Sequence, residues 1–215
     1  HSAPSPEAKS HILWTLSGLG GLSEDNVLLA LREDSPRLRE LGVRLAEKEL
    51  QGKVLDAVLT LVHDADARVR FQVALSLGET QDTRLATALI ELSRSDASDA
   101  WMRTAILSSS LNVSGAMLCE LLSDEAWGSK PGAIDMLKQL ATIVGGRNQP
   151  KELMTVLQAL EQADASVSAA GLRSTLLGLG EGLRRSGASL GPYLASAPKV
   201  QASVEQLVEK ALNLL

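Results

Sequence analysis

The chain has 215 residues, 45% of them apolar and only 2% aromatic, with a formal net charge of −5. That length and apolar content can bury a sizeable core, and a core rich in Leu and Ala suits closely packed helices better than sheets, which favour β-branched and aromatic residues. The acidic balance repels phosphate backbones, and residues 1–110 and 111–215 each hold more acidic than basic groups, so nucleic acid is disfavoured as a partner.

The first predicted helix opens at Ser5-Pro6-Glu7-Ala8-Lys9. Its pattern is a capping residue, then Pro or Ala, any residue, an apolar residue and a base. Trp14 follows at apolar spacing within Ile12-Leu13-Trp14-Thr15-Leu16, which places it in core or inter-helix packing. Gly18-Leu19-Gly20-Gly21 comes after a helix and not a strand, so it reads as a helix stop and not as a phosphate cradle. Ser35-Pro36-Arg37-Leu38-Arg39 repeats the start. Leu38, Leu41, Gly42, Leu45 and Ala46 then form one helical face. Asp66-Ala67-Arg68-Val69-Arg70 and Asp99-Ala100-Trp101-Met102-Arg103 repeat it again, at intervals of about 30 residues. Second helices lie between the starts, as on the face Leu85, Ala88, Leu89 and Leu92.

Beyond residue 111 the register survives but the base is lost. The start near Ser129-Lys130-Pro131 is the most degraded. Asp164-Ala165-Ser166-Val167-Ser168 has Ser in place of the base, and Ala197-Pro198-Lys199-Val200-Gln201 has Gln and a poor cap. Apolar faces continue on Leu153, Val156, Leu157 and Leu160, and on Val204, Leu207, Val208, Ala211 and Leu212. Gly52, Gly78, Gly128, Gly145-Gly146, Gly187 and Gly191-Pro192 fall where turns are expected.

A two-helix unit of about 30 residues cannot bury its face alone and must stack on its neighbours. The expected fold is therefore all-α: a HEAT-like α-α superhelix, or solenoid of stacked helical hairpins. It is read as a single domain over 1–215, with regular repeats over 5–110 and degenerate repeats over 111–215. Ser5, Ser35, Asp66, Asp99 and Asp164 are the expected helix caps. Stacking would align Arg39, Arg70 and Arg103, and like charges in a row need acceptors between them. Asp34, Asp64, Asp66, Asp96 and Asp99 stand in the adjoining loops, which suggests an inter-repeat Asp–Arg ladder. The competing reading is a solvated charged turn.

No catalytic, metal or cofactor site emerges. His1, His11 and His63 form no pair at helical spacing, and His63 reads as a residue favoured by a helix C-terminus. Ser108-Ser109-Ser110 lacks the strand-turn-helix setting of a nucleophile elbow. The single cysteine, Cys119, is a small core residue or a reactive thiol. Trp101 at a helix start and Trp127 beside Gly128 are candidate interface anchors. No apolar run approaches the roughly 18 residues of a membrane span, and no signal peptide is visible. The chain opens on His1, so it reads as a segment of something longer.

Three stretches carry a family resemblance. They are His11-Ile12-Leu13-Trp14-Thr15-Leu16-Ser17-Gly18-Leu19-Gly20 with Asp34-Ser35-Pro36-Arg37-Leu38-Arg39; Asp64-Ala65-Asp66-Ala67-Arg68-Val69-Arg70-Phe71-Gln72; and Trp101-Met102-Arg103-Thr104-Ala105-Ile106-Leu107. Together they resemble the HEAT-repeat module of bacterial membrane-bound dehydrogenase-like, haem-binding proteins, over roughly residues 8–145. In that family a β-propeller precedes the module and a c-type cytochrome domain follows it. The resemblance implies a periplasmic or exported setting and a scaffold that docks neighbouring domains or another protein. The haem motif Cys-x-x-Cys-His is absent, so haem chemistry would belong to a neighbouring domain. The expected role is a non-catalytic protein-interaction module with no cofactor, no nucleic-acid partner and no membrane contact of its own. The alternative is a HEAT-like nucleic-acid-binding protein or DNA glycosylase, which would show a broad positive concave face.

Overall fold

Local capping chemistry sets where the helices begin. In the computed structural model, which describes residues 4–162 and 168–212, helices start at Pro6, Pro36, Ala67 and Ala100, each directly after its expected cap, and another starts at Pro198. The elements are α1 (Pro6–Gly18), α2 (Glu24–Leu31), α3 (Pro36–Ala46), α4 (Gly52–Thr60), α5 (Ala67–Ser76), α6 (Leu85–Asp96) and α7 (Ala100–Ser109). They continue as α8 (Ser114–Leu122), α9 (Glu125–Gly128), α10 (Ala133–Arg147), α11 (Pro150–Gln162), α12 (Ala169–Arg185), α13 (Gly191–Leu194) and α14 (Pro198–Leu212). The described residues contain no strand. The fold is all-α.

Two compact units are present. The first comprises His1–Leu92 with Thr104–Ser109, the second Ser93–Arg103 with Ser110–Leu215. In the first, α3 packs against α1, α2, α4 and α5, and α2 also packs on α4. The predicted face of α3 is buried through Leu38, Leu41, Gly42, Leu45 and Ala46. Gly42 belongs on that face because α3 lies directly on the end of α2. A Cβ at residue 42 would stand 2.9 Å from the Leu31 amide nitrogen. Val54, Leu55, Val58, Val69, Val73 and Leu77 complete this core.

In the second unit α10 packs on α8 and α12, and α11 packs on α8 and α14. Leu153, Val156, Leu157 and Leu160 are buried as their spacing predicts. The face expected on Val204 to Leu212 lies, from residue 207 onward, outside the described side chains. Gly145 and Gly146 do not make a turn. They lie inside α10, which ends at Asn148 in the left-handed conformation, two residues before Pro150. Gly145 is instead a contact residue, as are Gly178 and Gly182 of α12. Gly178 meets Lys138 and Ala141, and Gly182 meets Thr142, Gly145 and Gly146. The numbers climb together, so α10 and α12 run in the same direction with α11 as the return.

Candidate functional site

The arginine row has one recurring local geometry. Arg39 Nη1 donates to the Glu33 and Asp34 carbonyls, both at 2.9 Å. Arg70 Nη1 donates to the Asp64 and Ala65 carbonyls at 2.7 and 3.3 Å. Arg103 Nη1 donates to the Ala97 and Ser98 carbonyls at 2.6 and 3.2 Å. In each case the acceptors lie six and five residues back, in the loop before the helix that carries the arginine. Chain leaving a helix presents carbonyls with no helical donor. A guanidinium placed one turn into the next helix reaches back and satisfies two of them.

A carboxylate joins this clasp at Arg39. Its Nε and Nη2 bind Asp64 Oδ2 and Oδ1 at 2.7 and 2.8 Å, a bidentate pair reaching to the following loop. Asp64 Oδ1 also accepts the Asp66 amide at 2.9 Å. The pair is largely buried, its side chains 16% and 5% exposed. The Arg39 hydrogen bonds outweigh this burial and hold the Asp64 carboxyl below the usual aspartate range. Three of the other expected acceptors sit differently. Asp34 contributes its carbonyl and not its carboxylate. The Asp66 and Asp99 carboxylates turn to their own helix starts. Arg103 Nη2 lies 3.6 Å from Asp135, and its Nε is buried without a hydrogen-bond partner.

Arg39→Ala should lower unfolding free energy by about 1–3 kcal/mol, since it leaves a mostly buried carboxylate and two carbonyls without their donor. Denaturant titration checks this, and a change within about 0.5 kcal/mol would match an ordinary surface site instead. The pH dependence follows from the depressed Asp64 carboxyl. The folded state binds this proton less readily than the unfolded chain, so the contribution is complete above the ordinary aspartate pKa of about 4. It is lost as pH falls through that range toward the depressed value. Asp64→Asn should therefore flatten this acid limb.

The helix caps follow the expected chemistry with one correction. Ser5 Oγ accepts the Ala8 amide, Asp66 Oδ1 the Arg68 amide, and Asp99 Oδ1 the Trp101 and Met102 amides. Ser35 occupies its cap position but makes no capping bond. Asp164 lies outside the described residues.

The tryptophans divide differently from expectation. Trp101 is 76% exposed, as its place at a helix start suggests. Trp127 is not an exposed anchor. It is 1% exposed, and its indole Nε1 donates to the Ser93 carbonyl at 2.9 Å. Asp124 Oδ1 caps the short α9 by accepting the Trp127 amide, so the residue stands in a helical turn and not in the expected loop. The same Asp124 binds Arg94 Nε at 2.9 Å. Trp14 is not a core residue either and is 48% exposed. Its helix, α1, has no buried residue.

Two further polar clusters escaped the sequence reading. Arg44, Glu47, Gln72 and Ser76 form a network joining α3 and the turn after it to α5, with Ser76 Oγ 2.6 Å from Glu47 Oε1. Glu152 Oε1 accepts the Gly115 amide at 3.1 Å, capping α8 from a helix far along the chain, while Arg147 bonds the Leu111 carbonyl. Partners this distant leave no local pattern. Burial pushes the Cys119 thiol up, with Glu152 adding to the effect, which lowers its thiolate fraction. His63 ends a short turn after α4 and is exposed. Among the described residues no group of three or more His, Cys, Asp or Glu side chains is placed to hold a metal ion. None of their helices is long and apolar enough to cross a membrane. No family model matches the chain, and neither a curated protein nor a solved structure matches it.

Proposed function

We propose that the chain is a non-catalytic scaffold of HEAT-like repeats, stacked as an α-α superhelix, that docks neighbouring domains or a protein partner. The observation that carries this reading is the arginine clasp. The same bond, from an arginine one turn into a helix to carbonyls six and five residues back, recurs at Arg39, Arg70 and Arg103. A hairpin repeated with its internal bonding intact is the unit of a repeat array, and such arrays serve as extended binding surfaces. The exposed indole of Trp101 supplies an anchor of the kind that dominates interfaces. The resemblance of residues 8–145 to the HEAT module of dehydrogenase-like, haem-binding proteins supports an exported redox parent. In it the propeller and cytochrome domains would carry the chemistry.

Covalent surface labelling of the full-length parent and of this chain alone tests the proposal. Trp101 should be labelled strongly in the isolated chain and protected several-fold in the parent or its complex. Equal labelling of Trp101 and of every other exposed side chain in both would remove the docking role.

A further inference from the structure

Helix α1 is apolar on two sides. Its inner side, with Lys9, Leu13 and Leu16, is half-buried against the rest of its unit, where α1 packs on α3. Its outer side carries Ala8, Ile12, Thr15 and Leu19, one stripe at helical spacing, and all four are exposed. Ile12 is 51% and Leu19 80% exposed. A helix that is apolar all round is normally covered all round. Helix α2 has the same division. Val27, Ala30 and Leu31 are buried where α2 packs on α3 and α4, and the opposite stripe, Asp25, Leu29 and Arg32, is exposed. Nearby Lys9 and Glu33 bind each other at 2.7 Å, but the side chains of Asp25 and Arg32 form no hydrogen bond or ion pair among the described residues.

We propose that this outer face of α1 and α2 binds a second copy of the chain about a twofold axis. Its charges are self-complementary, as such an axis requires. Asp25 and Arg32 lie two helical turns apart, about 10.5 Å, with Leu29 between them. When α2 is laid antiparallel on a second α2, each Asp25 meets the partner's Arg32 and the two leucines meet near the axis. The α1 stripe obeys the same symmetry: Ala8 meets the partner's Leu19, and Ile12 the partner's Thr15. A short turn joins α1 to α2 and reverses the chain. The midpoints of both stripes lie about four to five residues from that turn, so one axis can cross both. Two copies at −5 each repel overall, but these stripes add no net charge, because Asp25 offsets Arg32. With 13 and 8 residues, the helices are about 20 and 12 Å long and about 10 Å wide. Their outlines cover roughly 300 Å², which side-chain relief roughly doubles, close to the lower edge of stable interfaces at about 600 Å² per partner. The dimer is therefore weak and depends on concentration.

Sedimentation velocity on the whole chain, from about 5 to 500 µM, is the test. The 22.8 kDa monomer should give way reversibly to a species of twice that mass as concentration rises. D25R sets like charges against each other at both pairs, and so does R32D. Each should weaken association about tenfold, since two exposed pairs turn from attractive to repulsive. Mixing D25R with R32D restores opposite charges at both pairs, so the mixture should associate as strongly as the parent chain. Both positions are exposed, so the helical circular dichroism of each variant should match that of the parent chain. A chain that stays monomeric throughout overturns the proposal and leaves the face to a different polypeptide. Assembly beyond the dimer, single variants that associate like the parent, or a mixture no stronger than its components overturns it as well. None of these results bears on Trp101, which stands on α7, so the docking role is judged by its own labelling experiment.

Discussion

Trp127→Ala should cost about 3–5 kcal/mol of unfolding free energy, the range for truncating a large buried aromatic. The indole is 1% exposed, as fully buried as Met117, Leu121 and Met136 of the same unit. Removing it takes away apolar contact and opens a cavity that α8, α9 and α10 close only in part. It also removes the donor to the Ser93 carbonyl. Trp127→Phe separates these contributions, because it keeps most of the apolar area and loses the N–H, and should cost about 1 kcal/mol. Urea unfolding followed by circular dichroism measures both. If the alanine variant loses less than about 1 kcal/mol, the indole is not the centre of this core.

The same residue shows where sequence reading succeeds and where it stops. Helix starts at Pro6, Pro36, Ala67 and Ala100 were legible because a cap acts on amides two or three residues away. The arginine row was legible as a spacing, but its acceptors were not. The acceptors at Arg39, Arg70 and Arg103 include backbone carbonyls, which every residue carries, so no side-chain pattern announces them. Trp127 reads as a loop residue because Gly128 follows it. Asp124 was the available signal, a capping residue placed before Glu125 and three residues before the indole. What buries the ring is Ser93 and its neighbours, more than thirty positions away. Trp14 failed in the opposite sense. Its spacing is that of a core residue, but α1 packs mainly on α3, so one flank of the helix stays open.

Three glycines of α12 should respond to alanine with opposite signs. Gly178, Gly180 and Gly182 all lie inside one helix, where replacing Gly by Ala gains up to about 1 kcal/mol from backbone entropy. At Gly180 nothing stands within 4 Å of an added Cβ, so G180A should show that gain. At Gly182 the added Cβ runs into the Thr142 carbonyl oxygen and comes 2.6 Å from the Gly146 amide nitrogen. At Gly178 it runs into the Lys138 carbonyl oxygen and comes 2.9 Å from the Ala141 Cβ. These obstacles are mostly backbone of α10, which cannot swing aside as a side-chain tip can, so the two helices must separate. Overpacking of this kind costs about 1–3 kcal/mol, more than the entropic gain. Gly182→Val adds two methyl groups against the same wall and should lie at about 3 kcal/mol or beyond. Thermal melts of the four variants give the comparison directly. If G182A is as stable as G180A, the close crossing of α10 and α12 is not what excludes a side chain there.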